Sequence, residues 1–129
     1  MDKRITLTDK APTPLGPYSQ AVVSGEFVFI SGQGPVDPAT GKPVGGGIEE
    51  QTQRTLQNIK AILEASGSSF EDVVKVTVYL KNAGDFKAMN SVYSKFVGSQ
   101  PPARATVVAG MVSPDWLIEV EAVAKIQHA

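Results

Sequence analysis

Arg104 stands in Pro101-Pro102-Ala103-Arg104-Ala105-Thr106-Val107-Val108, a formal charge entering a short apolar strand just after a double proline. Proline can start a strand but cannot continue a helix. Alanine or valine fills four of the five positions after the arginine, so its guanidinium is expected in a concave, partly desolvated place. Left alone there, a buried guanidinium costs about 3–5 kcal/mol, so it needs a partner. Glu119 and Glu121, on the strand that follows, are the expected ones. The chain has no cysteine, and its single histidine, His128, is the penultimate residue. Chemistry here falls to Arg, Glu, Tyr, Ser, backbone amides and water.

Such a set can hold a carboxylate and move protons. Arginine's planar fork grips a carboxylate bidentately, where lysine offers a point charge. A glutamate in a tuned environment can order water and transfer its protons. The plainer alternative is a structural arginine opposite two glutamates, and the residues alone favour it. Other chemistries find less support. Ser31 lacks the Gly-x-Ser-x-Gly elbow and has no histidine to activate it, so a hydrolase triad is not expected. Gly45-Gly46-Gly47 lacks the lysine and the strand–helix setting of a phosphate loop. Glu49-Glu50 and Glu71-Asp72 read as charges at element starts rather than metal ligands.

The elements that must position these residues follow from periodicity. Residues 1–18 are punctuated by Pro12, Pro14 and Pro17 and read as an extended lead-in ending at Tyr18. A hairpin is expected from Ser19–Val23 and Phe27–Ser31 around Ser24-Gly25-Glu26. Residues 34–47 hold five glycines and three prolines and read as a long loop. Thr52, Leu56, Ile59 and Leu63, edged by Thr55 and Ile62, form the stripe of a helix stopped at Ser66-Gly67. Val73–Leu80 is expected as a strand. Asp85 is placed to cap a second helix whose core positions are Phe86, Met89, Tyr93 and Phe96, with Gly98 ending it. Strands over Arg104–Ala109 and Leu117–Ile126 complete a ββαβαββ order. Two helices can cover one sheet face, expected to carry Val74, Val76, Val78, Ile118, Val120, Ala122 and Ala124. The alternation Ile118-Glu119-Val120-Glu121-Ala122 puts both glutamates on the other face, with Lys75, Thr77, Tyr79 and Val123. A mixed, uncovered face in a small chain points to oligomerisation.

The 129 residues suit one α+β domain spanning 1–129. Lysine and arginine number 12 against 13 acidic residues, a balance without the electrostatic footprint of a nucleic-acid or anionic-membrane binder. No stretch approaches the ~18 apolar residues of a membrane helix, and Met1-Asp2-Lys3-Arg4 lacks a signal peptide's apolar core. A soluble cytoplasmic protein is expected.

Several segments, taken in order, resemble the YjgF/RidA family. They are Gly16-Pro17-Tyr18-Ser19-Gln20-Ala21, Ile30-Ser31-Gly32-Gln33, Asp37-Pro38-Ala39-Thr40-Gly41 and Gln51-Thr52 with Leu56, Asn58 and Ile59. Val73–Leu80, Asp85-Phe86 with Asn90 and Tyr93, Pro102-Ala103-Arg104 and Ile118–Ala124 continue the series. The resemblance covers nearly the whole chain. It implies a chorismate-mutase-like α+β fold, a homotrimer with pockets at subunit interfaces, no cofactor and no metal. It also implies hydrolytic deamination of 2-imino acids such as 2-iminobutanoate and 2-iminopropanoate to 2-keto acids and ammonia. On this basis Arg104 would bind the substrate carboxylate, Glu119 would assist water and proton transfer, and Tyr18 and Ser31 would join the catalytic group. Gly32, Asn90 and the backbone of Thr106 would line the same region. Glu121 reads as a structural partner.

The chain departs from the family pattern at three places. Thr106 stands where cysteine is frequent, Gly34 replaces a bulky aliphatic residue, and Gly110-Met111 replaces an Arg-Leu pair. These departures bear on side-chain preference and loop geometry rather than on the polar set. Two other functions stay in view: a non-catalytic binder of small 2-keto or carboxylic acids, and a ribonuclease or translation-inhibiting role.

Overall fold

The strands pair into a six-stranded sheet, and two helical stripes lie against one of its faces. In the computed structural model, residues 3–127 are described, so His128 lies outside them. The elements are β1 (Lys3–Thr6), β2 (Ala21–Ser24), β3 (Phe27–Gln33), β4 (Val36–Asp37), β5 (Lys42–Pro43), α1 (Ile48–Ala65), β6 (Val73–Leu80), α2 (Phe86–Val97), β7 (Ala103–Val108) and β8 (Ile118–Lys125). The main sheet runs β1-β2-β3-β8-β6-β7, with β4 and β5 forming a separate small hairpin. Among the described residues only β6 and β7 pair in parallel, as a strand–helix–strand crossover through α2 allows. The α+β class and the mixed sheet agree with the periodicity.

The stripe of α1 is buried as its spacing requires: Thr52, Thr55, Leu56, Ile59, Ile62 and Leu63 all face the sheet. Each fully buried leucine or isoleucine contributes roughly 1.5–3 kcal/mol. Glu50 accepts the Gly47 N–H at 2.8 Å, which satisfies an orphan donor at the helix start. Asn58, fully buried on the same helix, donates from Nδ2 to the carbonyls of Gly34 (3.1 Å) and Val36 (2.8 Å). Its Oδ1 accepts from the Arg54 guanidinium at 2.9 Å. This one amide ties α1 to the segment leaving β3. Asn58→Ala orphans both carbonyls and is expected to lower stability by about 2–3 kcal/mol, read from urea unfolding. A loss under half that size would mean water replaces the amide.

Five expectations need correction. The first residues are not merely a lead-in, because β1 pairs antiparallel with β2. Of Lys3-Arg4-Ile5-Thr6 only Thr6 is buried, so this edge strand has no hydrophobic alternation to read. The 34–47 loop contains the β4–β5 hairpin. Val74 is not on the covered face: it is 45% exposed, and Val73 is buried instead. A register shift between Val73 and Lys75 inserts a residue there and flips the parity. Asp85 occupies the N-cap position of α2 without a side-chain cap bond. Its backbone is already helical, after a 3-10 turn over Ala83–Asp85, whereas capping needs an extended residue. Phe86 is 47% exposed rather than core.

The face opposite the helices carries Glu119, Glu121, Lys75, Thr77 and Tyr79, paired across β6 and β8. Ile5, Phe27, Phe29 and Val107 share it and are 51%, 38%, 49% and 42% exposed. That much apolar surface on one side of a small sheet is of the kind another protein surface covers.

Candidate functional site

The polar residues singled out by the sequence fall into two clusters on opposite sides of the sheet. The first is built on a bulge. The β3–β8 register shifts between Ile30 and Gln33, taking Ser31 and Gly32 out of regular pairing. Bulges re-aim side chains in this way. The Ser31 N–H donates to the Gln20 carbonyl at 2.9 Å, and its hydroxyl donates to the Ser19 carbonyl at 2.6 Å. With its only proton engaged, the hydroxyl presents lone pairs and acts toward a ligand as an acceptor.

Gly32 lies directly against Glu119. A Cβ on Gly32 would stand 2.1 Å from Glu119 Oε2 and 3.0 Å from its carboxyl carbon. Glycine is what lets the carboxylate lie on the backbone here. Gly32→Ala is therefore expected to keep the fold but push the carboxylate aside. An ångström of such misplacement costs on the order of 10²-fold in turnover of any substrate Glu119 serves. Steady-state kinetics beside an unchanged circular dichroism spectrum would show it; full activity would mean Glu119 is free to relocate.

Burial pushes the Glu119 carboxyl above its ordinary range, and the negative charge of Glu121 pushes it the same way. Glu121 itself accepts a hydrogen bond from the Tyr79 hydroxyl. That bond is the first cause of Tyr79's raised pKa, with burial and the charges of Glu121 and Glu119 adding to it. So Glu121 is a structural partner, of Tyr79 and not of Arg104.

Tyr18 completes this cluster. Its hydroxyl accepts the Leu15 N–H at 3.2 Å, and its own N–H donates to the Gly16 carbonyl at 2.8 Å, folding the Gly-Pro segment into a tight turn. Tyr18, Ser31, Gly32 and Glu119 line one cleft with Val112 and Trp116. Gln20, just before β2, ties down the segment that leads to Tyr18. Its buried amide accepts the Thr8 N–H at 2.7 Å and donates to the carbonyls of Thr8 (2.9 Å) and Pro12 (3.0 Å).

Arg104 heads the second cluster. Parallel pairing sets it beside Val76, whose side chain is buried under the helices, and sets Thr106 beside buried Val78. Glu119 and Glu121 pair with Tyr79 and Thr77, on the other face. The expected Arg104–glutamate bridge therefore does not form within one chain. The Arg104 guanidinium lies instead over the rings of Tyr93, 4.7 Å from the centroid, and Phe86, 5.7 Å away. Cation–π contacts of this kind contribute about 0.5–2 kcal/mol and orient the planar fork. Burial raises the Tyr93 hydroxyl pKa against the opposing pull of the Arg104 charge. Phe86, Asn90 and Tyr93 recur at helical spacing, so half-buried Asn90 shares the face that meets the arginine.

Tyr93 and Phe86 were expected as core; holding the arginine is a role that their helical spacing alone does not separate from packing. Trp116 and Val112 carried no expectation, since nothing local to them signals a site. Among the described residues, no group of three or more His, Asp or Glu side chains converges as a metal site would require.

Residues 8–126 match the family model described as Endoribonuclease L-PSP. A RutC family protein of Pyrococcus abyssi is 55% identical over 96% of this chain and 98% of its own length. The 2-iminobutanoate/2-iminopropanoate deaminase of Capra hircus is 44% identical over 95% of this chain and 89% of its own length. The crystal structure of E. coli TdcF with bound serine matches with a TM-score of 0.90 at 37% identity, over 96% of this chain and 99% of that one. With these likenesses spanning almost its full length, the chain belongs to the L-PSP endoribonuclease family, the YjgF/RidA proteins.

Proposed function

We propose that the protein hydrolyses 2-imino acids to 2-keto acids and ammonia, at a site that two copies of the chain complete together. The observation that carries this reading is the Glu119 carboxylate, held against Gly32 with a raised pKa in a cleft shared with Ser31 and Tyr18. A relative 44% identical is named as an imine deaminase, and a structural neighbour holds serine, itself a small amino acid.

In this mechanism Arg104 binds the substrate carboxylate through two N–H donors, with Asn90 and the backbone of Thr106 beside it. Glu119, as carboxylate, takes a proton from a water as the oxygen attacks the C=N carbon. Glu119 passes that proton to the nitrogen of the resulting carbinolamine, and the C–N bond then breaks as the carbinolamine hydroxyl gives its own proton back to the Glu119 carboxylate, so that ammonia leaves and the carbonyl forms. The Ser31 hydroxyl accepts a hydrogen bond from the attacking water or the departing nitrogen. Because 2-imino acids also hydrolyse unaided in water, positioning supplies much of the acceleration.

Arg104 and Glu119 occupy opposite faces of one sheet, so both reach one substrate only across an interface. The uncovered face with Ile5, Phe27, Phe29 and Val107, and the edge position of β7, favour a second copy there. A homotrimer closes such a heterologous contact into a ring. Light scattering should give a mass three times that of the 13.6 kDa chain.

The deciding experiment adds the purified protein to an L-amino acid oxidase reaction and follows ammonia release. Faster release than the spontaneous rate is expected; an unchanged imine lifetime ends the proposal. Saturable binding of a 2-keto acid without turnover would turn the reading into that of a binding module. RNA cleavage is carried by names alone, the family's and those of some structural neighbours, and the near-balance of 12 basic and 13 acidic residues gives it no electrostatic support.

A further inference from the structure

The cleft at Glu119 shares walls with a second cavity. Gly34, just beyond β3, lies under the indole of Trp116: a Cβ there would stand 2.6 Å from Cε3, 2.6 Å from Cζ3 and 2.7 Å from Cδ2 of the ring. The indole thus rests flat against glycine backbone, in the space a side chain at position 34 would take. Both backbones are pinned by buried amides of α1. Asn58 donates to the Gly34 carbonyl at 3.1 Å. Gln51 accepts the Leu117 N–H at 2.7 Å and donates to the Asp115 carbonyl at 2.9 Å, bracketing Trp116 on both sides. A ring held this way is a wall rather than a loose surface residue.

Trp116 bounds the Glu119 cleft. It also bounds a cavity of about 140 Å³ whose walls are mainly Pro12, Pro14, Leu15, Tyr18 and Val36, with Thr13, Gln20 and Gln33 as the polar minority. Leu15, Tyr18, Gly32 and Trp116 line both. A ligand seated at Glu119 therefore has an apolar space next to it, past the edge of the indole. An apolar cavity of roughly 150 Å³ admits a benzene ring, far more than a methyl or ethyl group occupies.

We propose that this cavity receives the substrate side chain, that Trp116 is its specificity-determining wall, and that the substrates are 2-imino acids bearing branched aliphatic or aromatic side chains. The proposal rests on the imine-hydrolysis reading and narrows it to a substrate class. Each methylene moved from water into such a cavity favours binding by about fourfold. The leucine-derived imine is therefore expected to exceed the alanine-derived imine in kcat/KM by at least about tenfold.

The test generates imines from alanine, 2-aminobutyrate, leucine and phenylalanine with an L-amino acid oxidase and measures kcat/KM for each. In the wild-type protein the leucine and phenylalanine imines should lead, mainly through lower KM. Trp116→Ala should bring the large-to-small ratio toward one, and Trp116→Phe should restore most of it. A wild-type ratio at or below one overturns the proposal whatever the variants do, while acceleration of the small imines leaves the deaminase reading standing. A ratio that Trp116→Ala leaves unchanged removes the indole from the specificity role. Acceleration of no imine overturns the deaminase reading and this proposal with it.

Discussion

Arg104→Lys lowers kcat/KM for a 2-imino acid by about 10²-fold, and Arg104→Ala by more, while the fold survives both. Lysine keeps the charge but loses two properties that the site uses. It cannot present two parallel N–H donors to a carboxylate. It also lacks the planar face that lies over Tyr93 and Phe86 and aims the fork. The loss should show largely in KM for lysine, since attraction to the carboxylate persists, and in both constants for alanine. Because Arg104 sits on edge strand β7 and is only half-buried, neither change orphans a core group. Circular dichroism and the oligomer mass should stay as in wild type. Equal kcat/KM for arginine and lysine would show that charge alone suffices and would remove bidentate recognition from the mechanism.

Glu119→Gln is expected to cost about 10²–10⁴-fold in kcat, the range for loss of a positioned general base. The amide fills the same volume against Gly32 but cannot take a proton from water. The wild-type rate should fall as pH drops through the carboxyl's raised pKa, at an inflection above its ordinary value of 4.5. Burial is the main cause of that elevation and Glu121 the second, so Glu121→Gln should move the inflection downward without abolishing turnover. The same elevation has a consequence for stability. The folded chain holds this proton more tightly than the unfolded chain. Stability from Glu119 is therefore fully present below the unfolded pKa and is lost as pH rises through the folded one. At pH 7 the charged carboxylate is a net burden on the fold. Glu119→Gln should thus melt above wild type at pH 7 and level with it at pH 3. A variant that is active, or that melts lower at pH 7, contradicts the role given to Glu119.

How much of this was legible varies with the element. The α1 stripe from Thr52 to Leu63 was plain because burial on one helix face repeats locally. The alternation in Ile118–Ala124 showed in the same way that Glu119 and Glu121 share the uncovered face. Val74 departs from its expected face because a bulge is a property of two paired strands and is not written in either one alone. Arg104 takes the unexpected face for a different reason. In Ala103–Val108 the wholly apolar alternating set is Ala103, Ala105 and Val107, so the local pattern points the arginine to the uncovered face, and only the pairing with β6 reverses it.

The composition and periodicity of the chain were enough to determine an α+β class, two helices on one sheet face and a mixed face left uncovered. Its ordered segments were enough to indicate the family. These are local or additive properties, written in each segment by itself. Tertiary structure alone decided that Arg104 leans on Tyr93 and Phe86 rather than on a glutamate, that Gly32 accommodates the Glu119 carboxylate, and that Gly34 accommodates Trp116. Each depends on register or on a contact between residues remote in the chain, and such relations exist only once the strands have paired and the helices have closed over them.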